Sequence, residues 1–125
     1  MDGEELQKQA ESRAQELPGT ELTHPFGLDS DVWKICGKMF MFHAKVEGEP
    51  QVILKALPSD SMSLRAAHAD ITPGYHMNKR HWVSVRAGEA LSRRFVRELV
   101  VDSYRLVLEK LPRSVRPVDP ETYGG

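Results

Sequence analysis

Between residues 32 and 57 three apolar runs follow one another with almost no chain between them. The first, 32–36, ends at Gly37-Lys38; the second, 39–46, ends at Glu47-Gly48-Glu49-Pro50; the third, 51–57, is closed by Pro58. Parallel neighbours need a crossover of a dozen or more residues, so connections this short make the three runs antiparallel strands. An antiparallel sheet has to bury one face, and the flanking sequence supplies helices to do it.

Residues 3–17 carry Leu6, Ala10, Arg13 or Ala14, and Leu17 at helical spacing, with Glu4 and Glu5 favouring the positive end of the helix dipole and Pro18-Gly19 ending it. Residues 20–30 have no periodicity and read as a connector from which Phe26 packs down. After the third strand the period changes: Ser59 or Ser61 caps a helix over 59–70 that carries Met62, Leu64, Ala66, Ala67 and Ala69. Pro73-Gly74 breaks the chain, and two strands, 75–78 and 81–87, are expected around a Lys79-Arg80 turn. Residues 89–111 form the clearest helix, striped by Leu91, Phe95, Leu99, Leu106 and Leu111 and stopped by Pro112. The expected fold is α+β, a two-layer sandwich with an antiparallel sheet and the helices on one face, in the order α-β-β-β-α-β-β-α. Residues 1–116 make a single domain and 117–125 a flexible tail.

Composition narrows the function by exclusion. No apolar run in the 125 residues approaches the roughly 20 needed to span a bilayer, so no membrane role is expected. The opening MDGEELQKQAE is acidic and lacks the apolar stretch of a signal peptide, which predicts a cytoplasmic protein. Cys36 is the single cysteine, so no intrachain disulfide or CxxC metal site exists. The net charge of −1 conceals an asymmetry: residues 1–31 hold two basic and eight acidic side chains, and residues 32–125 hold fifteen and ten. A chain so close to neutral is a poor candidate for strong, purely electrostatic binding, but the imbalance allows a local positive face.

Strand alternation divides that charge between faces. Phe40, Phe42, Ala44 and Val46 are assigned to the core, leaving Met39, Met41, His43 and Lys45 outward. Val52, Leu54 and Ala56 turn inward against Ile53, Lys55 and Leu57, and Val83 and Val85 turn inward against Trp82, Ser84 and Arg86. The outer face then combines Lys45, Lys55 and Arg86 with His43, Trp82 and two methionines, and holds no carboxylate. Such a face suits a phosphate backbone with stacked or groove contacts, and equally a protein partner or homodimer. Long basic stems covering an ordinary sheet surface would look the same.

The segment PGYHMNKRHWVSV, residues 73–85, packs His76, Asn78, Lys79, Arg80, His81, Tyr75 and Trp82 together without an acid. Together with Leu17-Pro18-Gly19, Pro25-Phe26, Gly37-Lys38-Met39-Phe40, Leu54-Lys55, Ser103-Tyr104 and Leu111-Pro112, it resembles the MmcQ/YjbR family over residues 17–112. The resemblance implies a CyaY-like domain, akin in shape to secretion chaperones. It also implies DNA binding through a double wing of paired hairpins. Carried onto this sequence, it makes Lys79 and Arg80 phosphate contacts, His76 and Asn78 hydrogen-bond donors, and Trp82 a sugar or base contact, with Arg86, Lys55 and Lys45 on the adjoining face. Against this, Asn78 and His76 equally suit satisfying the turn's own backbone, and Trp82 equally suits a packing position.

Catalytic and metal motifs are absent: there is no HExxH, GxGxxG, P-loop or GxSxG, and His76 and His81 lack further ligands at metal spacing. Cys36 with His43 is the one nucleophile-base pairing the strands would allow. No cofactor is expected. The expectation is a non-enzymatic DNA-binding protein; a protein-interaction or chaperone-like module, homodimeric or with another partner, is the alternative.

Overall fold

A computed structural model describes residues 1–25, 27 and 30–123; the expected packing of Phe26 lies outside the described residues. The first helix, α1 (Gly3–Glu16), is capped by the Asp2 side chain, which accepts from the Glu5 amide at 2.7 Å. The strands are β1 (Thr20–Thr23), β2 (Asp31–Ile35), β3 (Lys38–Val46), β4 (Glu49–Lys55), β5 (Ile71–Pro73) and β6 (Trp82–Arg86). Helix α2 (Pro58–Ala67) separates β4 from β5, and α3 (Arg93–Glu109) follows β6. The strands form one antiparallel sheet in the order β1-β2-β3-β4-β6-β5. The α+β class and the one-sided helical layer are as expected, with one strand more.

That extra strand is β1, within the expected connector: Thr20 to Thr23 pair with Ile35 to Val32 along the sheet edge. The tight turns are as read. Cys36 and Gly37, then Glu47 and Gly48, all have positive φ, the backbone that two-residue hairpins use to match strand twist. Pro58 opens α2 rather than merely closing a strand, since its missing amide donor is harmless in a first turn. Helix α3 starts later than expected because Ser92 caps it, accepting from the Phe95 amide. The second expected hairpin differs most. Residues 75–78 form no strand; the partner of β6 is Ile71–Pro73, and residues 74–81 are a loop.

One irregularity reorders the faces. Between β2 and β3 the register steps from Trp33↔Met41 to Lys34↔Met39, leaving Phe40 as a bulge. Phe40 and Met41 are both fully buried in the core, and beyond the bulge the alternation is opposite to that expected. Met41 and His43 align with the core residues Leu54 and Val52, whereas Phe42 and Ala44 align with Ile53 and Gln51 on the second face. The core lies between the first face and α1 and α3, around Leu6, Ala10, Leu54, Val100 and Tyr104.

Candidate functional site

The bulge splits β3 from β4 where Phe40 ends its pairing, and α3 repairs the gap. The Lys55 amide donates to Ser103 Oγ at 2.9 Å, and the same hydroxyl donates to the Phe40 carbonyl. The next residue, Tyr104, donates from its buried hydroxyl to the Pro18 carbonyl at 2.6 Å and meets the Phe40 ring edge-on with centroids 5.6 Å apart. Burial, with Tyr123 and Cys36 nearby, pushes the Tyr104 phenol up to about 12, so it remains a donor. Pro18, Phe40, Lys55, Ser103 and Tyr104, drawn from four separate stretches of the sequence signature, therefore form one structural knot.

The loop 74–81 is held from within. The Gly74 amide donates to the Trp82 carbonyl at 2.9 Å, the Tyr75 amide to Ser84 Oγ at 2.8 Å, and the Lys79 ammonium to the Gly74 carbonyl. Asn78 closes an Asx turn by accepting from the Arg80 amide at 2.9 Å, and His76 takes a left-handed conformation with φ 59°. A Cβ on Gly74 would stand 2.6 Å from Trp82 Cβ, which explains glycine there. Because Ser84 lies on the second face, the Tyr75 bond brings the loop back across it. Ile53, Ser84 and Trp82 are accordingly buried. The expected open basic face is roofed by the segment expected to extend it.

Of the eight residues expected at the site, His76, Asn78, Lys79 and Arg80 are exposed on this loop. Trp82 is buried, with the Lys55 ammonium 5.8 Å from its ring centroid. Burial, and then the neighbouring Lys110, lower the Lys55 pKa. Arg86 is four residues along β6, with Nε 3.8 Å from Asp70 Oδ1. Lys45 lies near the β3–β4 turn, in register with Pro50 and on the opposite face from Lys55 and Arg86. The structure thus joins the loop to Lys55 and leaves Lys45 and Arg86 apart.

It also brings in cations that alternation on the sheet did not reveal. The β2–β3 turn, the C-terminus of β4, the 74–81 loop and the C-terminus of α3 share one end of the molecule. The Ala56 amide bonds the His81 carbonyl, and Cys36 Sγ lies 3.6 Å from the Val115 carbonyl just beyond α3. Lys34, Lys38, Lys55, Lys79, Arg80 and Lys110 therefore converge there, and none makes an ion pair among the described residues. Asp60 and Glu109 are acids at the same end, in the groove that Lys55 also lines.

The expected pairing of Cys36 with His43 does not assemble. Cys36 is exposed at the β2–β3 turn, while His43 pairs with Asp31 at the far end of β2, roughly 15 Å away at strand rise. Among the described residues no group of three His, Cys, Asp or Glu side chains could hold a metal ion. Among the described residues no helix is long and apolar enough to cross a membrane.

The model of the family described as YjbR matches residues 15–106, a span that takes in the knot and the whole 74–81 loop. The chain belongs to the YjbR family. Uncharacterized protein YbdF of Escherichia coli O157:H7 is 43% identical over 113 residues, covering 90% of this chain and 93% of its own. Uncharacterized protein YjbR of Escherichia coli K12 is 34% identical over 83 residues, covering 66% and 70%. Among solved structures, the DUF419 domain of Deinococcus radiodurans protein DR2400 superposes with a TM-score of 0.75 at 33% identity, covering 84% of this chain and 80% of that one. A Pseudomonas syringae protein reaches 0.70 at 26% identity, covering 79% and 96%. Every residue of the knot lies inside the matched span.

Proposed function

We propose that this YjbR domain is a non-enzymatic DNA-binding protein that holds the phosphate backbone with its cationic end rather than with a flat sheet face. The observation that supports this is the convergence of Lys34, Lys38, Lys55, Lys79, Arg80 and Lys110 from four chain segments, without ion-pair partners among the described residues. Arg80 is the foremost phosphate ligand, because Lys79 already donates to Gly74 within its own loop. Trp82 supports Lys55 from below and does not stack on a base.

The test is titration of a fluorescent mixed-sequence duplex across 20–200 mM salt, with wild type beside Arg80→Ala and Lys38→Ala/Lys110→Ala (about a tenfold salt range, chosen for counterion release). Each lost contact should weaken binding on every sequence and reduce the log-log salt slope by about 1. No binding at the lowest salt, or slopes identical in all variants, would sink the reading. A second reading, a protein-contact module, is favoured by the exposed Leu57 and Met62 at and on α2. It predicts self-association or partner binding that does not weaken with salt.

A further inference from the structure

Where the 74–81 loop returns over the second face of the sheet, it does not close against it completely. A cleft of about 680 Å³ remains between the loop, β2–β3 and the connector residues Pro25 and Ser30. This is within the usual size of small-molecule sites, which are largely preformed, mostly apolar and equipped with a few polar groups. Val32, Met39, Phe42 and Ala44 line it from the sheet, and Tyr75 and Met77 from the loop. Two methionines among those walls give them adaptable shape. The lip is fixed before any ligand arrives, by the Gly74–Trp82, Tyr75–Ser84 and Lys79–Gly74 hydrogen bonds.

Among the described lining residues the polar groups are few and the charge is of one sign. Lys34 is the one lysine or arginine among the described lining residues, and none of those residues is a carboxylate. Glu21 stands opposite Lys34 in the β1–β2 register but makes no ion pair with it, nor does any other described residue. The His76 ring, on the lip, adds a hydrogen-bonding group. His43 also contributes to the lining but is buried and neutral at pH 7.

We propose that this cleft binds a small amphipathic monoanion, with an apolar body against Phe42, Met39 and Met77 and one carboxylate paired with Lys34. Two sources share that chemistry, a medium-chain fatty acid and a bicyclic aromatic acid. The site shares Lys34 with the proposed phosphate-binding end, but Lys38, Arg80 and Lys110 are not among its lining residues, so the variants that test DNA binding leave the cleft intact.

The experiment uses the full chain labelled at its methionine ε-methyls, titrated separately with laurate and 2-naphthoate, and with the neutral analogues dodecanol and naphthalene. Binding of either acid should shift the Met39 and Met77 methyls and leave Met1 and Met62 unmoved. Lys34→Gln should weaken the acid about tenfold while leaving the neutral analogue unchanged, the loss expected for one charge-assisted contact. Ala44→Trp, which fills the cleft, should abolish binding; the methyl map in wild type makes the same point should that variant not fold. Which acid binds decides between the sources. Shifts absent with both acids, shifts confined to Met62, or a Lys34→Gln variant with undiminished affinity would overturn the proposal.

Discussion

His43 shows how one side chain can set the acid limit of a fold. It is 5% exposed, and no described group bonds its Nε2. Burial outweighs the attraction of Asp31 and lowers its pKa from 6.5 to about 4. The 3.9 Å approach of Nδ1 to Asp31 is therefore a contact of a neutral ring, not an ion pair, at pH 7; Asp31 is engaged by His24 at 2.9 Å. The unfolded chain binds this proton near pH 6.5 and the folded chain only near 4. Stability is thus complete above 6.5 and falls as pH drops toward 4, by about 3 kcal/mol from this residue. In a His43→Leu variant, urea midpoints measured from pH 7.5 to 4 should fall less steeply than in wild type. Parallel pH profiles would exclude His43 as the source.

At the level of elements, the joint between β3, β4 and α3 rests on a single hydroxyl. Ser103 satisfies the Lys55 amide and the Phe40 carbonyl, which the bulge has deprived of each other. Ser103→Ala leaves both without a partner, and at about 1–3 kcal/mol for each unsatisfied group the loss should reach about 2–6 kcal/mol in urea unfolding. A loss below about 0.5 kcal/mol would show that the strands re-pair without it. The bulge also marks where the sequence stops being legible. Helices α1 and α3, the two hairpin turns and the faces of β4 and β6 follow from periodicity and turn chemistry. The face of β3 does not: Phe40 carries no glycine or other bulge signal, and one unpaired residue reverses every later side chain. Strand β1 is short, polar and on an edge, so TELT lacks alternation. Strand β5 ends in Pro73, which reads as a breaker although an edge strand can accept it. At the site, Lys79, Arg80 and Lys55 are legible as neighbours, but Lys34, Lys38 and Lys110 join them only through tertiary packing.

The whole molecule is charged lengthwise. Opposite the cationic end stand the β3–β4 turn with Glu47 and Glu49 and the start of α1 with Asp2, Glu4 and Glu5; Gly3 abuts Pro50 there, and Met1 bonds Gly88 at 2.9 Å. Lys45 and Arg86 are cations of that acidic half. With a sequence pI near 6.5, the chain is net negative at pH 8. It should nevertheless be retained by a cation-exchange resin at low salt, and Lys38→Glu/Lys110→Glu should pass through unretained. Wild type in the flow-through would mean that the poles do not act separately. A molecule polarised along its strands has a preferred posture as well as a preferred partner. On any extended anionic surface it should stand on end, strand axis upright, and present its acidic end to whatever approaches next.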